Sequence, residues 1–404
     1  MTAGSRTDRG FGALRGLRVL DLTAVLMGPF ATQILADHGA EVIKVEGPEG
    51  DTTRQLPVSK GPGLGAMFLN LNRGKRSLAL DLKKPEARAA LLRLAAGADV
   101  FIHAMRADAI ARLGLTYADV AAVNPRIIYA NVYGFSRRGP YASRPAYDDT
   151  IQAMCGMAGL QERMQGAPAY SAALVADKVS GLTALYAVLM ALLHRERTGE
   201  GQEIEVAMFE TMANFVLTDH VNGALFDPPD GEPVYPRAAS PHRRPYRTKD
   251  GWIAALVYTD KHWRAFLDLA GQPAWGKDPR MATLKTRAAM IDELYARLAE
   301  TLLTRTTAEW LAGFERAEIP AAPINSTADL LADPHLNDTG FFIAQDTPLG
   351  GMRFPGMPAW FSNTPGQVTG PAPALGADGR AVLAEAGFTD AEIAALAAAG
   401  ALVG

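Results

Sequence analysis

The sequence predicts an α/β protein in which helices cover both faces of a mostly parallel sheet. Three observations support this fold class. Short apolar runs typical of buried strands alternate with helical segments through the first half of the chain. Strands separated by helices need crossover connections, which make neighbouring strands parallel. The chain has 404 residues, enough for two or three domains. Its composition changes near Asp227, where Pro, Arg and Gly become frequent.

The first half supplies the predicted sheet and the helices that cover it. The predicted strands are residues 18–22, 41–46, 77–82, 100–104, 126–132 and 202–206. The predicted helices are residues 30–37, 85–95, 107–112, 117–123, 149–157, 178–197 and 207–217. The helix at 178–197 carries large apolar residues on one face, from Val179 through Leu182 and Tyr186 to Leu193. We expect this face to pack in the core.

The second half predicts a smaller domain and a returning tail. A strand at 251–258 precedes helices at 262–269, 288–303 and 307–314, and a last helix is predicted at 390–399. We therefore expect a large domain at 1–224, a small α+β domain at 225–318 and a C-terminal segment, 319–404, that returns to the large domain.

Composition limits the classes of function. The net charge of −3 gives no reason to expect nucleic acid as a partner. The apolar stretch at 182–193 is shorter than the roughly 20 residues that a membrane span needs, so we expect a core helix and no membrane partner. Cys155 is the single cysteine, which favours a reducing cytoplasm.

Several common site motifs are missing from the sequence. The turn at 23–29 lacks the Gly-x-Gly-x-x-Gly pattern of dinucleotide sites, and no Walker loop or Gly-x-Ser-x-Gly elbow occurs. No two of the seven histidines lie three to five residues apart, so we expect no metal site. Cys155 lies in an apolar helical segment, where a cysteine is usually inert packing.

Two basic clusters, residues 72–76 and 237–247, are either solvated loops or phosphate contacts. The low net charge then favours a small phosphorylated ligand over a nucleic acid.

Asp177 lies between the apolar run 172–176 and the long apolar helix predicted to begin at Lys178. This is an N-cap position, and capping alone would explain an aspartate there. A carboxylate at a helix start within apolar surroundings is also suited to nucleophilic chemistry. The residues themselves leave both interpretations open.

Taken together, the motifs of the chain resemble the class III CoA-transferase family, also called the CaiB/BaiF family, over nearly the whole length. The matching stretches are 16–23 (GLRVLDLT), 28–29 (GP), 39–46 (GAEVIKVE), 72–81 (NRGKRSLALD), 124–127 (NPRI), 139–148 (GPYASRPAYD), 197–202 (RTGEGQ), 333–336 (DPHL) and 371–376 (PAPALG). The resemblance implies a Rossmann-like large domain built from both chain ends, a smaller inserted domain and an interlocked homodimer.

The resemblance also implies a reaction and a set of site residues. The family's nucleophilic aspartate opens a helix that ends in Arg-x-x-Thr-Gly-x-Gly-Gln, which Asp177 and residues 195–202 match. The enzyme would move CoA from an acyl-CoA to a small carboxylic acid through an aspartyl mixed anhydride. CoA would arrive as part of the substrate, with no tightly bound cofactor. The residues that match CoA contacts are Val25, Asn72, Lys75, Met105, Arg112 and Met208. Gly28 and Gly134 would let backbone amides approach an oxyanion.

Departures from the family pattern narrow the substrate. Ala24, Leu26, Ala104 and Tyr133 replace residues of formyl-CoA transferase, whose glycine-rich lid is also missing, so we expect neither a formyl nor an oxalyl substrate.

Two rival functions remain for the sequence. The 2-methylacyl-CoA racemases of the same fold use a Gly-His-Asp motif where this chain has Ala146-Tyr147-Asp148, and tyrosine is a poor proton shuttle at neutral pH. A non-catalytic CoA-binding protein would retain CoA binding without Asp177.

Overall fold

The computed structural model describes residues 10–404, except for the side chains of Leu284 and Lys285. The strands are β1 Arg18–Leu22, β2 Glu41–Glu46, β3 Arg76–Leu80, β4 Val100–His103, β5 Ile128–Tyr133, β6 Gln202–Ala207, β7 Tyr246–Arg247, β8 Trp252–Ala255, β9 Ala321–Pro323, β10 Phe342–Thr347, β11 Gly350–Pro355 and β12 Leu402–Val403.

The main sheet confirms the predicted α/β class. Over residues 10–404 it has seven strands in the order β12-β3-β2-β1-β4-β5-β6, and every pair is parallel except β12 with β3. The order reverses at β1 and β4, as in the doubly wound Rossmann arrangement, where ligands bind beyond the carboxyl ends of these strands. Small antiparallel sheets are formed by β7-β8-β9 and by β10-β11.

The predicted helices are found close to their expected positions, with some differences at the ends, and several further short helices were not predicted. The α-helices are α1 Met27–Asp37, α2 Ala66–Leu71, α3 Pro85–Ala95, α4 Ala107–Arg112, α5 Tyr117–Val123, α6 Asp148–Met154, α7 Met157–Gln165, α8 Val175–Thr198, α9 Met208–His220, α10 Asp260–Leu269, α11 Leu284–Ala288, α12 Ile291–Leu302, α13 Thr307–Arg316, α14 Thr327–Ala332, α15 Pro334–Asp338, α16 Gly379–Glu385 and α17 Asp390–Ala398. Helix α1 begins three residues earlier than predicted, and α8 also begins three residues earlier.

The core of the main sheet follows from the continuous apolar runs in its strands. All residues of β1, β2, β4 and β5 are buried, as expected for strands covered on both faces. Leu20, Ile43, Leu78, Phe101 and Tyr129 pack in one apolar cluster with residues of α3. The Phe101 and Tyr129 rings stack with their centroids 5.2 Å apart.

The chain divides into two compact units. Unit 1 contains the residues up to Gln152, Ser171–Asn214 and Asn337–Gly404, and therefore holds the main sheet. Unit 2 contains Ala153–Tyr170 and Phe215–Leu336. Its core is rich in aromatic residues, with Phe266, Trp310 and Phe314 in mutual ring contact and Trp263 against Phe266.

The large apolar face of α8 is exposed, although the sequence predicted that it would pack in the core. Its exposed side chains are Leu182, Tyr186, Leu189, Met190 and Leu193. The face that packs against α1, β5 and β6 is instead built mainly from small residues. Small residues allow the close approach between these elements, so the large apolar stripe is left facing outward.

Among the described residues, one helix, α8, is long and apolar enough to cross a membrane. Its packing is that of a helix that covers a sheet. Near its carboxyl end the buried Arg195 pairs with Asp99 at 3.0 Å, in the loop before β4.

Candidate active site

The candidate site lies at the carboxyl edge of the main sheet, in unit 1. The loops that follow β1 and β4 leave this edge at the reversal of strand order. The loop after β1 is short, and Met27 begins α1 directly after it. Backbone amides at the start of α1 therefore lie at the position where this class of fold binds ligands.

Asp177 is the third residue of α8 rather than its N-cap. Leu174 occupies the cap position, with a left-handed φ of 46°, and makes no side-chain cap hydrogen bond. The predicted cap role is therefore wrong, because the helix starts at Val175. The half-buried carboxylate of Asp177 instead lies close enough to the backbone N–H of Met27 for this group to lower its pKa. It is thus close to the positive ends of both α8 and α1.

Gly181 explains how α8 comes so close to α1. A Cβ atom at this position would lie 2.6 Å from the carbonyl oxygen of Met27 and 3.2 Å from the Phe30 ring. Gly181 follows Asp177 by four residues, one helical turn, and lies on the same side of α8. The missing side chain at Gly181 therefore allows the contact between Asp177 and Met27.

Asp148 is a second carboxylate at this site, and the sequence analysis gave it no role of its own. It is buried at the start of α6, and its Oδ1 accepts a hydrogen bond from the Asp177 backbone N–H at 3.1 Å. Gln152 donates to its other oxygen and accepts from the Ser171 N–H at 2.8 Å. Asp148 and Gln152 thus fix the segment that leads into α8.

The surroundings of Asp177 raise its pKa to about 6. Burial is the largest cause, and the negative charge of Asp148 acts in the same direction. The Met27 N–H and the charge of Lys178 oppose them. With a pKa near 6, about nine-tenths of the Asp177 carboxyl groups are ionised at pH 7. Asp177 is therefore mostly in the form that can act as a nucleophile at neutral pH.

Val25 lies in the loop between β1 and α1 in a strained conformation. Its φ is 68°, which is rare for a β-branched residue. Its N–H donates to the carboxylate of Asp51 at 3.2 Å. Lys44 pairs with Asp51 at 3.0 Å and donates to the Thr23 carbonyl at 2.9 Å. These bonds from buried side chains hold the strained loop, and such strain is typical of ligand sites.

Lys75 and Asn72, two of the predicted CoA contacts, are buried inside unit 1. The Lys75 side chain is 0% exposed, and its ammonium donates to Asp21 at 3.0 Å, Thr32 at 2.7 Å and Asn72 at 2.8 Å. Asn72 is also fully buried. With its donors used inside the protein, the Lys75 ammonium is not available to a phosphate. Direct contact of Lys75 and Asn72 with CoA stays a prediction, and their burial does not favour it.

The buried charge of Asp21 and those of Lys44 and Lys75 stabilise each other. Burial alone would raise the pKa of Asp21, but Lys75 and Lys44 hold it lowered, at about 2. Burial lowers the pKa of Lys75 to about 8, against the opposing charge of Asp21. Asp21 also accepts from the Thr23 N–H at 3.0 Å, so the group supports the start of the loop that contains Val25.

The other predicted CoA contacts divide between the surface and the interior. Arg112 is exposed at the end of α4 and lines a cavity of about 320 Å³ together with Arg106 and Ser143. Met105 is half-buried directly after β4, whereas Met208 is buried at the start of α9. Arg106 was not predicted as a site residue, although it lies next to Met105 on the same loop.

Gly28 and Gly134 are needed for packing inside unit 1. A Cβ atom at Gly28 would lie 2.3 Å from the Thr23 side chain, and one at Gly134 would lie 2.2 Å from that of Ala146. Neither glycine therefore leaves open space for an oxyanion on its Cβ side. The described residues contain no cluster of His, Cys, Asp and Glu that could hold a metal ion.

Comparisons with known proteins show which sequences and structures this chain is similar to. The sequence model described as CoA-transferase family III matches residues 14–379. Succinate–glutarate CoA-transferase of Agrobacterium fabrum is 36% identical, over 92% of this chain and 95% of that protein. The probable fatty acyl-CoA transferase Rv3272 of Mycobacterium tuberculosis is 39% identical, over 74% of this chain and 79% of that protein. The crystal structure of Rv3272 superposes with a TM-score of 0.79 at 32% identity, covering 90% of this chain and 97% of that one.

Proposed function

The chain belongs to CoA-transferase family III, and we propose that it transfers CoA from an acyl-CoA to a small carboxylic acid with Asp177 as nucleophile. The observation that carries this proposal is the position of the Asp177 carboxylate. It is half-buried, it meets the amide that begins α1, and its pKa of about 6 leaves it ionised at neutral pH. A capping role alone would need neither the contact with α1 nor the neighbouring charge of Asp148.

The proposed reaction proceeds through covalent intermediates on Asp177. The carboxylate attacks the thioester carbonyl, which forms a mixed anhydride and releases CoA thiolate. The thiolate attacks the aspartyl carbonyl, which gives an aspartyl-CoA thioester and frees the first acid. The incoming carboxylate attacks this thioester and forms a second anhydride with release of the thiolate. The thiolate then attacks the acyl carbonyl, which yields the new acyl-CoA and restores Asp177.

Backbone amides at the site support these steps. The Met27 N–H at the start of α1 is close enough to the Asp177 carboxylate to lower its pKa, and we assign it as a donor to the oxyanion that forms on the aspartyl carbonyl. This donor was not among the residues expected from the sequence, which had pointed to Gly28 and Gly134.

We propose that CoA lies across the loops after β1 and β4. Val25 and Met105 are partly exposed there, and Arg112 with Arg106 lines a cavity whose guanidinium groups suit phosphate. The loops would be held in place by three buried residues beneath this surface, Asn72, Lys75 and Met208. CoA enters as part of the substrate, and the mechanism requires no other tightly bound cofactor.

We propose that the enzyme is a homodimer of the cytoplasm. The exposed apolar face of α8, formed by Leu182, Tyr186, Leu189, Met190 and Leu193, supports the dimer because a contiguous apolar patch on the surface marks an interaction site. The chain has one cysteine, the buried Cys155, and a single cysteine cannot form an internal disulfide, which supports a reducing compartment. The proposed dimer is the interlocked one that the family resemblance implies.

The substitution Asp177→Asn tests the assignment. It keeps the shape of the side chain and removes the nucleophile, so we expect CoA exchange to fall by at least about 10³-fold. Exchange would be measured with labelled acid and acyl-CoA, and circular dichroism would verify folding. Asp149→Asn, a charge-matched change at an exposed neighbour of Asp148, should leave exchange unchanged. Exchange that persists in Asp177→Asn would rule out the covalent mechanism.

The racemase alternative receives no support at residue 147. Tyr147 is 70% exposed and replaces the histidine that the racemases use. Deuterium incorporation at Cα of a 2-methylacyl-CoA without added acid would nevertheless identify that activity.

A further inference from the structure

A cavity in unit 2 plays no part in the proposed mechanism. It has a volume of about 700 Å³ and lies beside the sheet β7-β8-β9. Its floor is formed by small residues, Ala254 and Ala255 of β8 and Ala321 and Ala322 of β9. The volume is within the range of small-molecule sites, and the small side chains of the floor leave the space open.

Three arginines line this cavity, namely Arg237, Arg243 and Arg244. Among the ion pairs of the described residues, none joins a carboxylate to any of the three. Other arginines of unit 2 are paired, for example Arg287 with Asp260. A cavity wall with three positive charges and no paired carboxylate favours binding of an anion from solution.

Arg237 is held in place by neutral groups. Its Nε donates to the hydroxyl of Tyr295 at 3.1 Å, and its guanidinium lies 4.6 Å from the centre of the Tyr258 ring. These contacts orient the half-buried guanidinium without neutralising its charge. Little conformational freedom would therefore be lost when an anion binds.

The loop that carries Arg243 and Arg244 is also ordered by its own bonds. Ser240 donates to Asp292 of α12 and accepts from the His242 N–H at 3.2 Å. The Arg243 guanidinium makes one long hydrogen bond, 3.4 Å, to the Ala238 carbonyl. In the described part of the chain, the Arg244 side chain has no hydrogen-bond partner, so its donors remain available.

Tyr246 adds a neutral donor to the cavity. It is buried on β7, and burial raises the pKa of its hydroxyl, although Arg237, Arg243 and Arg244 act in the opposite direction. Tyr246 and the three arginines line the same cavity. Tyr246 therefore stays protonated at neutral pH and can donate a hydrogen bond to an anion.

We propose that this cavity binds a small dianion, whose oxygen atoms pair with Arg237, Arg243 and Arg244 while its apolar part lies on the alanine floor. Guanidinium groups form forked hydrogen bonds with carboxylate and with phosphate, so a dicarboxylate and a phosphate group share the required chemistry. The site is formed by residues of unit 2 alone and does not depend on the role of Asp177.

The test is a calorimetric titration of the full chain at low salt, with glutarate in one arm and inorganic phosphate in the other. We expect one of these probes to bind saturably, and its affinity to fall as salt rises. The double substitution Arg243→Gln with Arg244→Gln should weaken that binding by about tenfold or more. Arg247→Gln is the matched control, because Arg247 is an exposed residue of β7 that lies over the Trp252 ring, outside the cavity.

Other outcomes would overturn the proposal. It fails if neither probe binds, or if the double variant binds as tightly as the original chain. A titration of Asp177→Asn separates this site from the active site. If glutarate binding disappears with Asp177→Asn and survives in the double arginine variant, the acid binds at Asp177 and the cavity is not its site. The proposed transferase activity is judged independently, by the exchange assay.

Discussion

At the scale of single residues, the chemistry of Asp177 depends on groups that are distant in sequence. Asp148 lies 29 positions earlier and Met27 lies on another helix. Asp148 nevertheless raises the pKa of Asp177, and the Met27 N–H lowers it. The sequence could single out Asp177 from its position between an apolar run and a helix. It could not show these neighbours, because their effect depends on how α1, α6 and α8 pack.

Asp148→Asn should move the acid limb of the pH–activity profile to lower pH. The substitution removes a negative charge that raises the pKa of Asp177, while the amide oxygen can still accept from the Asp177 N–H. Between the ordinary carboxyl pKa and about 6, Asp177 is largely protonated in the original chain and would be more ionised in the variant. The measurement is kcat/KM from pH 4.5 to 8.

Asp149→Asn is the control for this experiment, since Asp149 is exposed beside Asp148. An acid limb that stays in place in Asp148→Asn, or that moves to higher pH, would contradict the proposed coupling between the two carboxylates.

Lys75 illustrates a limit of reading residues from sequence. A lysine within a basic cluster is expected at the surface, and the family resemblance assigned it to CoA. The structure buries it among Asp21, Thr32 and Asn72, because the fold brings Asp21 of β1 close to Lys75, which directly precedes β3. Only the partner residues, which come from separate segments, reveal this role.

At the scale of elements, α8 presents two different apolar faces. The face of small residues packs on α1 and the sheet, and the face of large residues remains exposed. A hydrophobic stripe in a sequence predicts that a face will be covered, but it does not identify what covers it. The strands were easier to predict, because continuous apolar runs such as 18–22 and 41–46 are typical of strands buried on both sides.

Gly181→Ala should be destabilising even though alanine favours helices. A Cβ atom would lie 2.6 Å from the Met27 carbonyl oxygen, so α8 must move away from α1. We expect a loss of about 1–3 kcal/mol in the free energy of unfolding and a large loss of exchange, because Asp177 would move away from the Met27 N–H. Urea denaturation and the exchange assay measure the two effects.

Gly159→Ala in α7 is the matched control. A Cβ atom there would have no neighbour within 4 Å, so this change should stabilise by up to about 1 kcal/mol through helix propensity. Equal effects of the two substitutions would show that the close approach at Gly181 has no importance.

At the scale of the whole molecule, the chain combines a doubly wound sheet with a second unit that has its own aromatic core. The α/β class was predictable from the alternation of strands and helices. The pairing of β12 with β3 was not, since two residues near the chain end carry no periodic signal. The predicted domain boundaries at 225 and 318 stay a prediction.

The proposed dimer predicts a particle of twice the chain mass of 43.0 kDa. Met190→Glu with Leu193→Glu places charges on the exposed face of α8 and should give monomers in sedimentation experiments, because buried charges oppose association. His194→Glu, an exposed change beside this face, is the control. A monomeric original chain, or a double variant that remains dimeric, would exclude this face as the interface.

The most direct test of the central claim is chemical trapping of the intermediate on Asp177. The chain would be incubated with a candidate acyl-CoA and hydroxylamine, digested with trypsin and analysed by mass spectrometry. We expect a hydroxamate on Asp177, within the peptide that ends at Lys178, and its absence when CoA replaces the acyl-CoA. Efficient CoA exchange that leaves Asp177 unmodified under these conditions would contradict a covalent role for this carboxylate.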